Sequence, residues 1–368
     1  MKGNVFKKLM ALVVASAVFC APATAAIAKD LTAVNDTAIV SSFGQDDPVN
    51  EDIVETDYKG IHASSLYSSN STITKIDQIE AKKDTVTIGW NDTTATAGSA
   101  YYIHVTAYYG ASQIYKKDDS ANGASSYTLY NLPQGASVSV TVYRDSDYSN
   151  NYASYNNAQT LPTKVSPSAT GPWYVFGGGD KLALNWGYDN DANYYNDGTC
   201  VQLYNKAGKK IATYYSNKAG YSFRPAAAKS TTKPYKVVLR HYFETAGGKK
   251  YFGEKRVIYC VPDAKITSKK SDIHFHKINL KWKKVSGASK YTVYAAKSKD
   301  YTVNGSSLKF KKVGTTKKTS FAFKKLSGST ISTNKAYYYV YVVPSVKMDK
   351  KTRKSNRLHG AYFHMYAY

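Results

Sequence analysis

Val86-Thr-Ile88-Gly-Trp90, Leu182-Ala-Leu184-Asn-Trp186 and Ile278-Asn-Leu280-Lys-Trp282 are one phrase written three times, its tryptophans 96 residues apart. Within each phrase the apolar residues alternate with small or polar ones, so a strand carrying it turns three apolar side chains to one face. A period of this length is far beyond that of a solenoid repeat and close to that of an autonomous sandwich. The chain therefore reads as three copies of one domain, with Trp90, Trp186 and Trp282 as core anchors.

The remaining strand candidates recur in the same order after each tryptophan. Tyr102-Ile-His-Val105, Val201-Gln-Leu203 and Tyr291-Thr-Val293 come next, followed by Tyr127-Thr-Leu129, Tyr221-Ser-Phe223 and Phe321-Ala-Phe323. Val138-Ser-Val140-Thr-Val142, Tyr235-Lys-Val237-Val-Leu239 and Tyr337-Tyr-Tyr339-Val-Tyr341 complete the series, separated by Gly, Asn, Ser and Pro clusters. No sustained helical period interrupts them, so the fold class is all-β.

On these residues the repeats resemble fibronectin type III domains, a family of immunoglobulin-like two-sheet sandwiches. The third copy carries the resemblance most fully, in Lys277-Ile-Asn-Leu-Lys-Trp282, Val285-Ser-Gly287-Ala-Ser-Lys-Tyr291-Thr-Val293-Tyr294 and Phe310-Lys-Lys-Val313. The first keeps the Leu132-Pro-Gln-Gly135 turn but has Val138 where the family places a corner tyrosine; Tyr235 and Tyr337 stand there in the other two. The resemblance implies repeats over residues 72–163, 164–263 and 264–368, and a non-catalytic spacer, adhesion or ligand-presenting role. It also sets Cys200 and Cys260 at opposite ends of parallel strands flanking a third, which implies free thiols, although two cysteines in an exported chain also suit a disulfide.

Ahead of the repeats, Lys2, Lys7 and Lys8 precede an apolar run from Leu9 to Ala21 and small-x-small sites ending at Ala25 and Ala28. That order reads as a secretory signal peptide over residues 1–28, in a run too short to span a membrane. Residues 29–71 are rich in Asp, Glu, Ser, Thr and Asn and read as a flexible acidic leader. The expected setting is secreted or extracellular, in a bacterial envelope, without a membrane-spanning segment.

Charge is distributed very unevenly. Of the formal net charge of +24, residues 264–368 hold 24 Lys and Arg against three Asp, while residues 72–163 hold six against eight acidic residues. Lys311, Lys312, Lys317 and Lys318 fall around the middle strands of the third repeat, and Lys347, Lys350, Lys351, Arg353, Lys354 and Arg357 crowd its last connection. Such fields gather anionic partners and fade with salt. The expected partner is an anionic cell-wall polymer or polysaccharide rather than nucleic acid, given the export signal.

Other chemistry is weaker. Among 35 tyrosines, Tyr108, Tyr109, Tyr148, Tyr152, Tyr155, Tyr214 and Tyr215 read as facing outward, and Tyr188, Tyr194 and Tyr195 lie in a loop suited to stacking on sugars, the alternative function. Asp189-x-Asp191-x-Asn193 lacks the glycine and the glutamate of a calcium loop. His274 and His276 share a strand face by alternation but have no third ligand. Nucleophile motifs, phosphate loops and cofactor fingerprints are absent from the sequence, so neither enzyme nor cofactor is expected.

Overall fold

A computed structural model describes residues 63–365, apart from 111, 145–147, 149, 169–172, 177–180, 188–197, 217–222, 273, 299–307, 333–335 and 357–360. The signal segment, most of the leader, the Tyr188–Tyr195 loop with its Asp189 and Asp191, and Arg357 lie outside the described residues.

The first repeat contains β1 (Ser64–Tyr67), β2 (Ile73–Ala81), β3 (Val86–Asp92), β4 (Ala100–Tyr109), β5 (Ser112–Asn122), β6 (Ser126–Leu129), β7 (Ser137–Tyr143) and β8 (Tyr152–Gln159). They form a three-stranded sheet, β2-β3-β6, against a five-stranded one, β1-β8-β7-β4-β5. β1 lies inside the segment read as leader: it pairs with β8 from Ser64↔Asn156 to Tyr67↔Ala153. Its polar composition hid it, because an edge strand needs backbone partners more than apolar side chains.

The second repeat runs through β9 (Tyr174–Val175), β10 (Ala183–Leu184), β11 (Gly198–Asn205), β12 (Lys210–Ser216), β13 (Tyr235–Glu244), β14 (Lys250–Phe252) and β15 (Arg256–Cys260). Its larger sheet is β12-β11-β13 with β14 and β15 both on β13; its smaller one, among the described residues, consists of β9-β10 and a bridge between Leu184 and Phe223. The third comprises β16 (Ile266–Asp272), β17 (Lys277–Trp282), β18 (Ala288–Ser298), β19 (Lys311–Thr316), β20 (Ser320–Phe323), β21 (Lys325–Leu326), β22 (Ser329–Thr330), β23 (Ala336–Met348), β24 (Lys351–Lys354) and β25 (Ala361–Met365). It repeats the plan, with β16-β17-β20 against β19-β18-β23 and with β24 and β25 on β23. Every described strand pairing is antiparallel, and the wiring of two packed sheets is fibronectin type III-like.

All three tryptophans are buried, at 3%, 1% and 4% exposure, and each packs a second ring. Trp90 meets Tyr101 at 5.2 Å and Trp282 meets Tyr291 at 5.3 Å, both from the next strand of the opposite sheet. Trp186 instead meets Phe223 at 5.7 Å. Cys200 and Cys260 are free and buried, on β11 and β15 to either side of β13, opposite Arg240 and Tyr235 respectively. Burial raises both thiol pKa values, that of Cys200 to about 11.

Two corner hydroxyls differ from the sequence reading. In the third repeat Tyr338, not Tyr337, points inward and accepts a hydrogen bond from Ser332 N at 2.8 Å. In the first, buried Thr160 does the tyrosine's work: its hydroxyl accepts from Gly135 N at 2.7 Å and Ala136 N at 3.0 Å and donates to Pro133 O at 3.0 Å. Tyr235 accepts from Ser230 N at 3.4 Å.

The chain divides into two compact units, residues 49–261 with 348–353 and the rest. Within the former, the first two repeats are joined by polar contacts. Tyr155 reads outward by alternation but is fully buried, because β8 bulges against β7 between Val138 and Val140 and resets the parity. Its hydroxyl accepts from Ala246 N at 2.9 Å, in the β13–β14 turn of the second repeat. Tyr251 OH and Lys249 Nζ both donate to Ile79 O, at 2.8 and 3.0 Å, and Lys83 pairs with Glu254. A Cβ at Gly247 would stand 2.2 Å from Asp77 Oδ2, so the turn comes this close only with glycine. Tyr214 is the second tyrosine read as outward that is buried; its hydroxyl accepts from Ala227 N at 2.9 Å.

Candidate functional site

The lysines around β19 are placed by apolar contacts that leave their ammonium groups outside. Phe310 packs on Tyr341 at 4.6 Å and brings the chain onto the sheet edge, where Lys311 and Lys312 stand opposite Ala295 and Tyr294 of β18. Two residues later Gly314 passes directly over a ring of the other sheet: a Cβ there would lie 2.3 Å from Phe321 Cζ. The turn into β20 is fixed by Thr316, whose hydroxyl accepts from Lys318 N at 3.0 Å. Lys311, Lys312, Lys317 and Lys318 are all exposed, as are the neighbouring Lys309, Lys324 and Lys325.

Among the described residues none of these ammonium groups has a carboxylate partner. The three acidic residues of the repeat are elsewhere engaged or lie outside the description. Asp272 accepts from Phe275 N at 3.1 Å, and Asp349 binds Lys236 and Tyr259. Asp300 lies outside the described residues. An edge strand carrying lysines also discourages sheet-to-sheet association, which is the ordinary use of such a pattern.

The second basic group is a hairpin rather than a loop. Asp349 and Lys350, with φ of 45° and 62°, form the tight turn between β23 and β24 without the glycine that consecutive left-handed residues favour. The Asp349 carboxylate accepts from Lys236 Nζ at 2.6 Å and Tyr259 OH at 2.8 Å, and these bonds, Lys236 foremost, hold its pKa below the usual carboxylate range. Arg353 is half-buried with its guanidinium 3.6 Å above the Tyr259 ring. A planar cation at an aromatic face has one partner already, which sets Arg353 apart from the exposed lysines of the hairpin. Lys347, Lys350, Lys351 and Lys354 are exposed. The hairpin tip 348–353 groups with residues 49–261, whereas Lys311, Lys312, Lys317 and Lys318 belong to the other unit.

His274 and His276 occupy a turn, not a strand face. His276 has φ of 47° and its Nδ1 donates to Ile331 O at 2.8 Å. Among the described residues no group of three or more His, Cys, Asp and Glu side chains could hold a metal, and no helix is long and apolar enough to cross a membrane.

Sequence reasoning missed an aromatic row on the first repeat. Tyr102, Tyr143 and Tyr152 face one another across β4, β7 and β8. The outward parity of Tyr102 and Tyr143 in their strands was the signal available for it.

No protein-family model matches the sequence, and no curated protein matches it. Among solved structures, the crystal structure of the chicken CNTN1 FN1-FN3 domains is similar at 15% identity and a TM-score of 0.25, over 80% of this chain and 99% of that one. A two fibronectin type-III domain segment from chicken tenascin is similar at 11% identity and a TM-score of 0.25, over 51% and 98%. The strand wiring described above stands on its own.

Proposed function

We propose that this chain is a secreted, non-catalytic binding scaffold of the bacterial cell envelope, in which the third repeat holds an anionic cell-wall polymer or acidic polysaccharide. The observation that carries the reading is the set of exposed lysines around β19, Lys311, Lys312, Lys317 and Lys318 foremost, with no carboxylate partner among the described residues. Lys311 and Lys312 open the edge strand β19 and Lys317 and Lys318 follow it into the turn, so one strand carries paired charges at both of its ends. The first two repeats, fixed to each other by the junction at Tyr155, Tyr251 and Gly247, act as a spacer. The signal-like start of the chain supports export and so favours envelope polymers over nucleic acid.

The test uses the full chain and purified wall teichoic acid. Replacing Lys311, Lys312, Lys317 and Lys318 together with Gln should abolish most of the binding without lowering the melting temperature. Four released counterions predict that binding by the unmodified chain weakens roughly a hundredfold between about 50 and about 200 mM salt. Binding that ignores salt, or that survives the fourfold substitution, overturns the proposal.

A further inference from the structure

On the outer face of the five-stranded sheet of the first repeat, four tyrosine rings gather at one end. Tyr143 lies 5.5 Å from Tyr152, with the rings tilted by 46°. Tyr148, from the connection between β7 and β8, stands edge-on to Tyr143 at 5.0 Å and to Tyr102 at 5.9 Å. None of the four is buried, and Tyr148 is 43% exposed. Its φ of 58° is in the left-handed region, where a bulky side chain is a conformational outlier. Such a residue persists only when its surroundings hold it, and outliers of this kind gather at binding sites.

The four hydroxyls are the second observation. Several tyrosine hydroxyls outside the cluster bond within the protein: Tyr101 to Asp92, Tyr127 to Asp119, and Tyr155, Tyr214 and Tyr338 to backbone amides. The hydroxyls of Tyr102, Tyr143, Tyr148 and Tyr152 have no partner among the described residues. In the next row inward, the hydroxyls of Thr141 and Ser154 bond each other at 2.8 Å.

We infer that this cluster is a binding site for a neutral glycan. Tilted phenol rings offer apolar faces to the C–H side of a sugar ring, and their free hydroxyls meet its hydroxyls. Charge argues against an anionic ligand, since the repeat holds six basic and eight acidic residues and Arg144 is already paired with Asp92 at 2.9 Å. Size argues against a protein partner. The aromatic patch ends at the His104–Asp118 pair one row away, and a stable protein interface needs about 800 Å² from each side. A sugar unit or two is matched by four rings.

The inference is independent of the polyanion proposal, and salt separates the two. The full chain would be titrated calorimetrically with neutral glucan, mannan, xylan, galactan and chitin oligosaccharides at about 50 and about 500 mM salt. At least one should bind saturably and equally at both. Tyr143→Ala and Tyr148→Ala should each weaken it about tenfold or more, while Tyr143→Phe, which keeps the ring, should retain most of it. Tyr130→Ala, at a 67% exposed tyrosine outside the cluster, is the control and should change nothing. If Tyr143→Ala fails to melt cooperatively, Tyr148→Ala at its exposed position decides. Binding of none of these sugars, equal loss in Tyr130→Ala, indifference to both alanine variants, or capture of a protein at the cluster in their place would overturn the assignment.

Discussion

In the first repeat, four of six cationic side chains rest against a carboxylate: Lys82 on Glu80, Lys83 on Glu254, Lys117 on Asp119 and Arg144 on Asp92. In the third, the exposed lysines of β19 and its turn have none among the described residues. Yet both repeats use the same wiring, β2-β3-β6 against β8-β7-β4-β5 in one and β16-β17-β20 against β24-β23-β18-β19 in the other. The inward set, Val86, Ile88 and Trp90 or Ile278, Leu280 and Trp282, decides the sandwich, so the outward set is free to take either charge pattern. One scaffold thus carries a charge-balanced surface with an aromatic cluster and a separate unneutralised basic edge.

The largest expected effect tests the shared part of that comparison. Trp90→Ala and Trp282→Ala should each destabilise their own repeat by about 3–5 kcal/mol, as removal of a large buried ring does. Denaturant unfolding of the two variants should show similar losses, because the Trp90–Tyr101 and Trp282–Tyr291 pairs have nearly the same geometry. A loss below about 1 kcal/mol for either would show that its ring is not a core anchor.

The corners come next, and here the repeats part. Thr160 serves two amides and a carbonyl, whereas Tyr338 serves one amide. Thr160→Val leaves Gly135 N without its acceptor in a buried site, while Ala136 N keeps its bond to Pro133 O at 3.1 Å, and should cost about 2 kcal/mol, against about 1 kcal/mol for Tyr338→Phe. Equal costs would mean that water replaces the lost threonine contacts.

What the sequence displayed and what it hid divide along physical lines. The tryptophan period was legible because period-two alternation maps directly onto an inward face. Tyr155 was not, because the bulge in β8 resets parity and no pattern of side chains announces it. Tyr338 was missed in favour of Tyr337 by one residue in a run of three tyrosines, where every position suits a strand. The basic edge at β19 was legible as charge, and its exposure followed from lysine's strong hydration. The seat of Arg353 was not legible, since the Tyr259 ring that receives it lies 94 positions away in sequence. Nor could composition show that Tyr102, Tyr143, Tyr148 and Tyr152 gather their rings at one end of a sheet.

Charge substitutions should sharpen the contrast with smaller effects. Replacing Lys317 and Lys318 by Gln should leave stability within about 0.5 kcal/mol, since neither side chain has a partner among the described residues. A marked destabilisation in thermal melts would reveal a contact that the geometry does not contain.

The smallest effect is acid dependence, and it belongs to the first repeat. Asp119 is hydrogen-bonded by Lys117, Tyr127 OH and Ser120 N, and these bonds, that of Lys117 first, hold its pKa at about 2. A carboxylate whose folded pKa lies below its unfolded value of about 3.9 adds stability that is complete above that value. The contribution is lost as pH falls through the folded pKa. Melts of the full chain and of Asp119→Asn should therefore differ by a constant amount from neutral pH down to about 4 and converge toward about pH 2. The gap should be small, because the Lys117 partner is half exposed and solvent screens the pair. Lys317→Gln, made where no carboxylate pairs with the lysine among the described residues, should leave the same acid profile unchanged. A gap that widens on acidification would reverse the sign and show Asp119 protonated, not ionised, in the folded repeat.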